Sequence, residues 1–330
     1  MGLEGTLITG AGGFLGSHLA ERELKAGRRV VAIDNFSTGS RSNRIYLESL
    51  PEAEGRLFFL EADVCQPWEP WLTQVPDFVL TKVSRVLHFA SPASPPLYQE
   101  KALETLWVNS IGTQRALEFA DSVGARVVFA STSEIYGDPS VSPQPESYWG
   151  NVNTVGVRSC YDEAKRFGET LIYTHNWKKN TRHGFVRIFN TYGPRMNPAD
   201  GRVVINLLAQ AIQGQPLTIY GAGKQTRSFC YVDDLCTAIE SYSTSELTEP
   251  VNIGNDQEFS ILQLAQIIQK MFSDRKLEIS FKPMPTDDPQ QRRPDLTKAK
   301  TLLAPWTPLV GLEDGLNKMR IWLESELQSR

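Results

Sequence analysis

Tyr161 and Lys165 stand four residues apart in Tyr161-Asp162-Glu163-Ala164-Lys165. On a helix that spacing places both side chains on one face. An ammonium near a phenol favours the phenolate and lowers its pKa from about 10. Such a tyrosine can take a proton from a hydroxyl while hydride leaves the carbon that bears it. The pattern alone also fits a solvated helix face. It gains weight from Ala130-Ser131-Thr132-Ser133-Glu134, which ends the apolar run Val127-Val128-Phe129. Open α/β sheets bind their ligands at such strand ends. Thr132, Ser133 and Glu134 therefore join Tyr161 and Lys165 as candidates, although Glu134 also suits a backbone cap.

A second constellation can hold phosphate. Ile8-Thr9-Gly10-Ala11-Gly12-Gly13-Phe14-Leu15-Gly16 spaces Gly10, Gly13 and Gly16 as GxxGxxG between an apolar strand and a helix. Glycines there allow a tight turn, close approach to a pyrophosphate, and packing of helix against strand. The helix N-terminus adds free N–H groups and a favourable dipole. Asp34 closes the next strand about 20 residues on, where a carboxylate holds ribose hydroxyls. A carboxylate repels a 2′-phosphate, so the reading is NAD rather than NADP. Arg41 and Arg44 just downstream leave NADP open. Asp63-Val64, after a further apolar run, suits either an adenine contact or a strand-end turn.

These residues need a scaffold. Thr6-Leu7-Ile8, Val30 to Ile33, Leu57 to Leu60, Arg85 to Phe89, Arg126 to Ala130 and Arg182 to Ile188 read as strands. Helices are expected over Gly16 to Lys25 and from about Thr105 to Ser122. Short apolar runs separated by amphipathic segments predict a Rossmann-type doubly wound parallel sheet. The second half carries more proline and glycine, from Pro139 to Pro145 and from Gly193 to Gly201. There Ile205 to Gln213, Ile261 to Met271 and Leu312 to Leu327 read as helices, with Leu217 to Tyr220 and Val251 to Gly254 as strands. The expectation is α/β throughout. Residues 1–190, with about 229–256 returning, form the dinucleotide-binding domain, and 191–330 form mainly a smaller C-terminal α/β substrate-binding lobe.

Composition excludes several classes. Lys and Arg number 34 against 38 Asp and Glu, without a basic block, so no nucleic acid partner is expected. The apolar runs are strand-sized, so no membrane span is expected. Met1 to Thr6 fits a myristoylation pattern, but Thr6 falls in the first buried strand. Cys65, Cys160, Cys230 and Cys236 form no CxxC pair, and the four histidines show no ligand spacing. The expectation is a cytoplasmic protein with free thiols and no metal. His88 reads as structural, and Tyr136 and Trp149 as packing residues.

With these motifs in place the chain resembles the extended short-chain dehydrogenase/reductase group that acts on nucleotide sugars. Within it, the likeness is to the UDP-glucuronate decarboxylase (UDP-xylose synthase) family. It rests on GxxGxxG, on Ser131 to Gly137, on YxxxK and on Arg187 to Arg195. More specific segments are Ala90 to Pro96, Tyr148 to Asn153, Cys160 to Glu163, Asn190 to Met196, Asp200 to Val204, Gln225 to Arg227 and Asp287 to Asp295. The stretch Trp71 to Lys82 looks longer than usual, and Thr154-Val155-Gly156-Val157 replaces a proline-containing segment.

The resemblance implies roles. Tyr161 is the base and Lys165 its partner. Thr132 and Ser133 meet the sugar, Glu134 sits near C5, and Arg292 contacts the sugar as its ring changes shape. NAD would be held by Gly10, Gly13, Phe14, Leu15, Asp34, Asn35, Ser37, Thr38, Gly39, Asp63, Val64 and Ala90, besides Tyr161 and Lys165. Pro92, Asn190, Arg202, Val203, Tyr220, Gln225 and Arg227 would hold the UDP-sugar. A homodimer is implied, through the helix of Tyr161 and the one from Thr105 to Ser122. The activity implied is decarboxylation of UDP-glucuronate to UDP-xylose. Ser133 stands where related dehydratases carry an aspartate acid. A TDP-sugar substrate, an epimerase or dehydratase, and a dinucleotide-sensing or RNA-binding protein of the same fold stay open as alternatives.

Overall fold

The computed structural model describes residues 4–285 and 289–328. Met1 to Leu3, and Asp287 and Asp288 of the arginine-containing motif, lie outside the described residues. The main sheet has seven strands. They are β1 (Gly5–Thr9), β2 (Arg29–Asp34), β3 (Leu57–Glu61), β4 (Val83–His88), β5 (Arg126–Thr132), β6 (Gly184–Ile188) and an edge strand, Val251–Ile253. The order is edge strand, β6, β5, β4, β1, β2, β3, and every pairing is parallel. Strand order therefore reverses between β1 and β4, which opens a crevice at their C-terminal ends. This is the Rossmann-like arrangement expected from the alternating runs.

Alternate residues of each strand feed different cores. Ile8, Val30 and Ala32 belong to one buried cluster; Leu7, Val31 and Ile33 belong to the other. A sheet covered on both faces explains why its strands are uniformly apolar rather than alternating. The first cluster runs on without a break into Leu207, Leu217, Ile219, Leu264 and Met319, so the C-terminal segments share one core with the sheet. Beyond the main sheet, Leu217–Tyr220 pairs with Ile279–Lys282. Thr226–Ser228 pairs with both Glu258–Ser260 and Gln291–Arg292.

Some boundaries differ from the sequence reading. The loop helix is Phe14–Lys25, two residues earlier than expected, because Gly13 serves as its N-cap. The helix expected from Thr105 begins at Ala102 and contains a widened π-type turn at Val108–Gly112 before Thr113–Val123. A Cβ on Gly112 would lie 3.1 Å from Val64, so the turn passes close to the end of β3. The longer stretch before β4 folds into two short turns, Glu69–Leu72 and Asp77–Leu80, that bury Val75 and Val79. Trp149 is not a packing residue: it is 87% exposed. Tyr136 is fully buried and donates to Asn252 at 2.8 Å. Among the described residues no helix is long and apolar enough to cross a membrane.

Candidate functional site

The glycine loop is a backbone device. Gly10 has φ +73°, and a Cβ there would lie 2.8 Å from the nitrogen of Ala90 on β4's exit loop. A Cβ on Gly16 would meet the Gly10 carbonyl at 2.1 Å. Only glycine fits this crossing of loop, helix and β4. The helix Phe14–Lys25 has no side-chain cap and no acidic residue in its first turn, so its N-terminal N–H groups stay available to an anion.

Asp34 ends β2 as expected. One oxygen accepts from the Gly12 N–H at 2.9 Å and the other from the Phe36 N–H at 2.7 Å. Burial raises its pKa, and these amides pull it back. Arg41 pairs with Glu61 at 2.7 Å and Arg44 with Glu48 at 2.8 Å. The two cations that left NADP open are thus engaged by carboxylates, which favours the NAD reading.

Two cavities meet at this loop. The smaller, about 350 Å³, is bordered by Asp34, Asn35, Ser37, Gly39, Asp63, Val64 and Ala90. Pro92 borders it too, although the sequence reading placed Pro92 with the sugar. Asp63 borders the cavity and also closes a strand-end turn, accepting from the Cys65 N–H at 2.9 Å. Gly10, Gly13 and Thr38 border both cavities. The larger, about 580 Å³, is bordered by Phe14, Leu15, Thr132, Ser133, Glu134, Tyr161 and Lys165. At its far end stand Asn190, Arg202, Val203, Tyr220, Gln225 and Arg227. An uncapped helix N-terminus, a glycine crossing and a strand-end carboxylate along two joined cavities fit a dinucleotide.

Tyr161 and Lys165 lie on the helix Ser159–Lys179, both buried. Thr132 ends β5, and its hydroxyl accepts from the Glu134 N–H at 3.2 Å, capping the turn Ser133–Tyr136. Lys165 lies beside the phenol ring and is anchored to β5. Its ammonium donates to the Ala130 carbonyl at 2.7 Å and lies 5.7 Å from the Tyr161 ring centroid. Burial raises the Tyr161 pKa, contact with Thr132 lowers it, and Glu134 raises it further. Burial brings Lys165 down to about 7. Thr132 and the Arg202 charge both ease ionisation of this phenol.

Glu134 sits between two arginines. Arg158 donates to its Oε2 at 2.6 Å and Arg292 to the same oxygen at 3.1 Å. Burial would raise Glu134, but Arg292 and Arg158 hold it down to about 2. The two guanidinium groups therefore favour the Glu134 carboxylate, which accepts. Arg292 also binds the carbonyls of Ser133 and Gly137 and is 1% exposed. It borders neither cavity. The sequence reading put Arg292 against the sugar; here it reaches the cavity through Glu134. The parallel pairing of Arg292 with Arg227 brings it there from a distant segment.

The sequence reading missed Tyr98, Arg158 and Asp162. Tyr98 and Arg158 border the larger cavity. Asp162 is 6% exposed, and burial with the nearby Glu134 charge pushes it up to about 7. Arg158 stands just before the Tyr161 helix, a position that could have marked it. His88 is structural, with Nδ1 2.8 Å from the Thr9 hydroxyl. Away from the cavities, Asp121, His175 and His183 come together, a grouping their spacing does not reveal. His183 Nδ1 accepts from the Val127 N–H, so Nε2 carries the ring hydrogen, while Lys179 holds Asp121 at 2.7 Å. His175 Nε2 lies 3.2 Å from the same carboxylate.

The known relatives agree with this geometry. Residues 6–254 match the model of the NAD dependent epimerase/dehydratase family. The chain is 45% identical over 322 residues to UDP-glucuronic acid decarboxylase 1 of Danio rerio, covering 98% of this chain and 73% of that one. It is 44% identical over 314 residues to UDP-glucuronic acid decarboxylase 5 of Arabidopsis thaliana, covering 95% and 87%. Among solved structures it is similar to UDP-glucuronic acid 4-epimerase from Bacillus cereus in complex with UDP-glucuronic acid and NAD. That likeness has a TM-score of 0.84 and 28% identity, over 98% of this chain and 99% of that one. On this evidence the chain belongs to the NAD dependent epimerase/dehydratase family.

Proposed function

We propose that the chain decarboxylates UDP-glucuronate to UDP-xylose. The observation that carries this is the meeting of Thr132, Tyr161 and an anionic Glu134 on one cavity that runs on to the glycine loop. The names of the relatives point the same way. NAD, when bound, supplies the reversible hydride acceptor at sugar C4. Tyr161 takes the proton of the C4 hydroxyl, leaving a ketone beta to the carboxylate. The bond between C5 and C6 then breaks, CO2 departs, and the electron pair comes to rest on the C4 oxygen. Thr132 and Tyr161 hydrogen-bond that oxygen where the charge develops. A water proton adds at C5, the hydride returns to C4 and Tyr161 gives its proton back to the C4 oxygen, which yields the pentose. Glu134 orients water or the ring and gives up no proton. Lys165, on the same cavity and beside the phenol ring, supports the phenolate as a nearby cation. Arg202, Gln225 and Arg227, with Asn190, Val203 and Tyr220, hold the nucleotide diphosphate. Arg292 positions Glu134.

In this reading residues 1–190 with about 229–256 hold NAD, and the remainder is mainly the sugar lobe. A second copy covers the apolar face formed by Leu103, Trp107 and Ile111 on one helix and Tyr173 and Trp177 on the neighbouring one. Trp107 is 50% and Trp177 70% exposed, and an isologous interface would bury both. The test of the activity is turnover of UDP-glucuronate in heavy water, read by product mass. A decarboxylase yields the nucleotide pentose with solvent deuterium at C5. A product that keeps its carboxylate, or that has lost water, overturns the reading.

A further inference from the structure

Tyr98 lies in the short helix Pro95–Glu100. Its ring stacks flat on that of Tyr161, with centroids 4.8 Å apart and planes 5° from parallel. The Arg158 guanidinium lies 5.9 Å from its ring centroid. Tyr98 is 1% exposed, yet it borders the larger cavity. Its hydroxyl is buried and has no hydrogen-bond partner among the described residues. Buried hydroxyls are nearly always paired, so one left over beside a cavity calls for a ligand or a water. Burial pushes its pKa far up, and Arg158 offsets this only in part. The hydroxyl is neutral, and toward an anion it can only donate.

We propose that Tyr98 determines specificity for a uronate: its hydroxyl donates a hydrogen bond to the carboxylate of the sugar. This rests on the decarboxylase reading, in which Tyr161 addresses the C4 hydroxyl. The carboxylate hangs from C5, an adjoining ring carbon. C4 adjoins both C3 and C5, so a ring stacked on Tyr161 faces either the C3 hydroxyl, which UDP-xylose keeps, or the carboxylate, which it lacks. A neutral donor suits departure of the carboxylate. A cation clamped on the carboxylate would stabilise the charged ground state and lose that stabilisation as charge moves to the C4 oxygen. A phenol orients the carboxylate with a weaker hold on its charge.

The test is Tyr98→Phe in the full chain with NAD. The change keeps the stacked ring and removes a hydroxyl that lacks a partner, so the melting temperature should not fall. Binding of UDP-glucuronate and of UDP-xylose, which lacks the carboxylate, is measured by calorimetry in a Tyr161→Phe background that blocks turnover. Loss of the hydroxyl should weaken UDP-glucuronate binding by about tenfold or more. UDP-xylose binding should stay within about twofold of its starting value. Unchanged UDP-glucuronate binding overturns the proposal, as does equal weakening of both sugars, which would mark a structural role or a bond to the C3 hydroxyl. The two readings fail separately. A Tyr161-containing chain that binds UDP-glucuronate and releases no CO2 ends the decarboxylase reading, while the binding comparison still decides Tyr98.

Discussion

Two carboxylates in this chain are each gripped by two arginines, at opposite ends of the same sheet. Glu23 lies at the N-terminal end of the strands. It takes Arg28 at 2.6 and 2.8 Å, Arg85 at 2.9 Å and the Thr6 hydroxyl at 2.5 Å, and its side chain is 1% exposed. Glu134 follows the C-terminal end of β5. Arg158 and Arg292 both reach its Oε2, neither bond uses Oε1, and the side chain is 20% exposed. Beside it, the Tyr98 hydroxyl and one Asp162 oxygen have no partner among the described residues. The first cluster is closed and does structural work. The second leaves polar capacity unspent next to a cavity, the expected state of a site that completes itself with a ligand. Charge pairing alone does not mark function; incompleteness beside a cavity does.

The largest effect should separate the two ends by activity alone. Tyr161→Phe removes the proton acceptor, and CO2 release should fall by about 10²–10⁴-fold. Urea unfolding should show a loss of no more than about 1–2 kcal/mol, the cost of one buried hydrogen bond. A folded variant with near-normal turnover would break the account of the cavity end.

Matched arginine deletions come next. Arg85→Leu should cost about 3–5 kcal/mol of stability, because Glu23 loses a buried partner. Its folded fraction should keep kcat and KM within about twofold. Arg292→Leu should lower kcat by at least about 100-fold at a comparable stability cost, since it too removes a buried partner of a carboxylate. Denaturant titration and steady-state kinetics on both variants check this. Equal activity losses would erase the distinction between the ends.

The smallest effect sharpens it through pH. Asp162 is raised to about 7 in the fold against about 3.9 in an unfolded chain. Its ionisation therefore costs stability, increasingly from pH about 4 upward and fully above 7. Asp162→Asn should stabilise the chain by about 1–2 kcal/mol at pH 8, with the gain fading as the pH approaches 4. Glu23 and Glu134 have lowered pKa values, so their contributions have the opposite sign and disappear only as the pH falls below the usual carboxylate range. Melting curves across pH resolve the two signs. A gain that grew on acidification would contradict the assignment.

The cofactor half was legible because it is local. Gly10 to Gly16 and Asp34 lie within one strand–helix–strand unit, and their spacing already encodes the turn, the helix end and the carboxylate. The sheet was legible for the same reason, each buried strand being a short apolar run. The sugar half was legible only in part. Arg292 reaches Glu134 only because Gln291–Arg292 pairs with Thr226–Ser228, a contact no local pattern announces. Tyr98 meets Tyr161 by stacking across the cavity wall. YxxxK predicts the shared helix face of Tyr161 and Lys165 but not that the ammonium is also anchored to the Ala130 carbonyl. Trp149 misled because a tryptophan was expected to pack, and its loop leaves it in solvent.

The most direct measurement is a turnover assay with the full chain, UDP-glucuronate and substoichiometric NAD, following CO2, UDP-xylose and absorbance of NADH together. The account predicts CO2 and UDP-xylose in equal amounts over many turnovers, with no net NADH and no product from Tyr161→Phe. CO2 accompanied by an equal amount of NADH, or no CO2 at all, would contradict it.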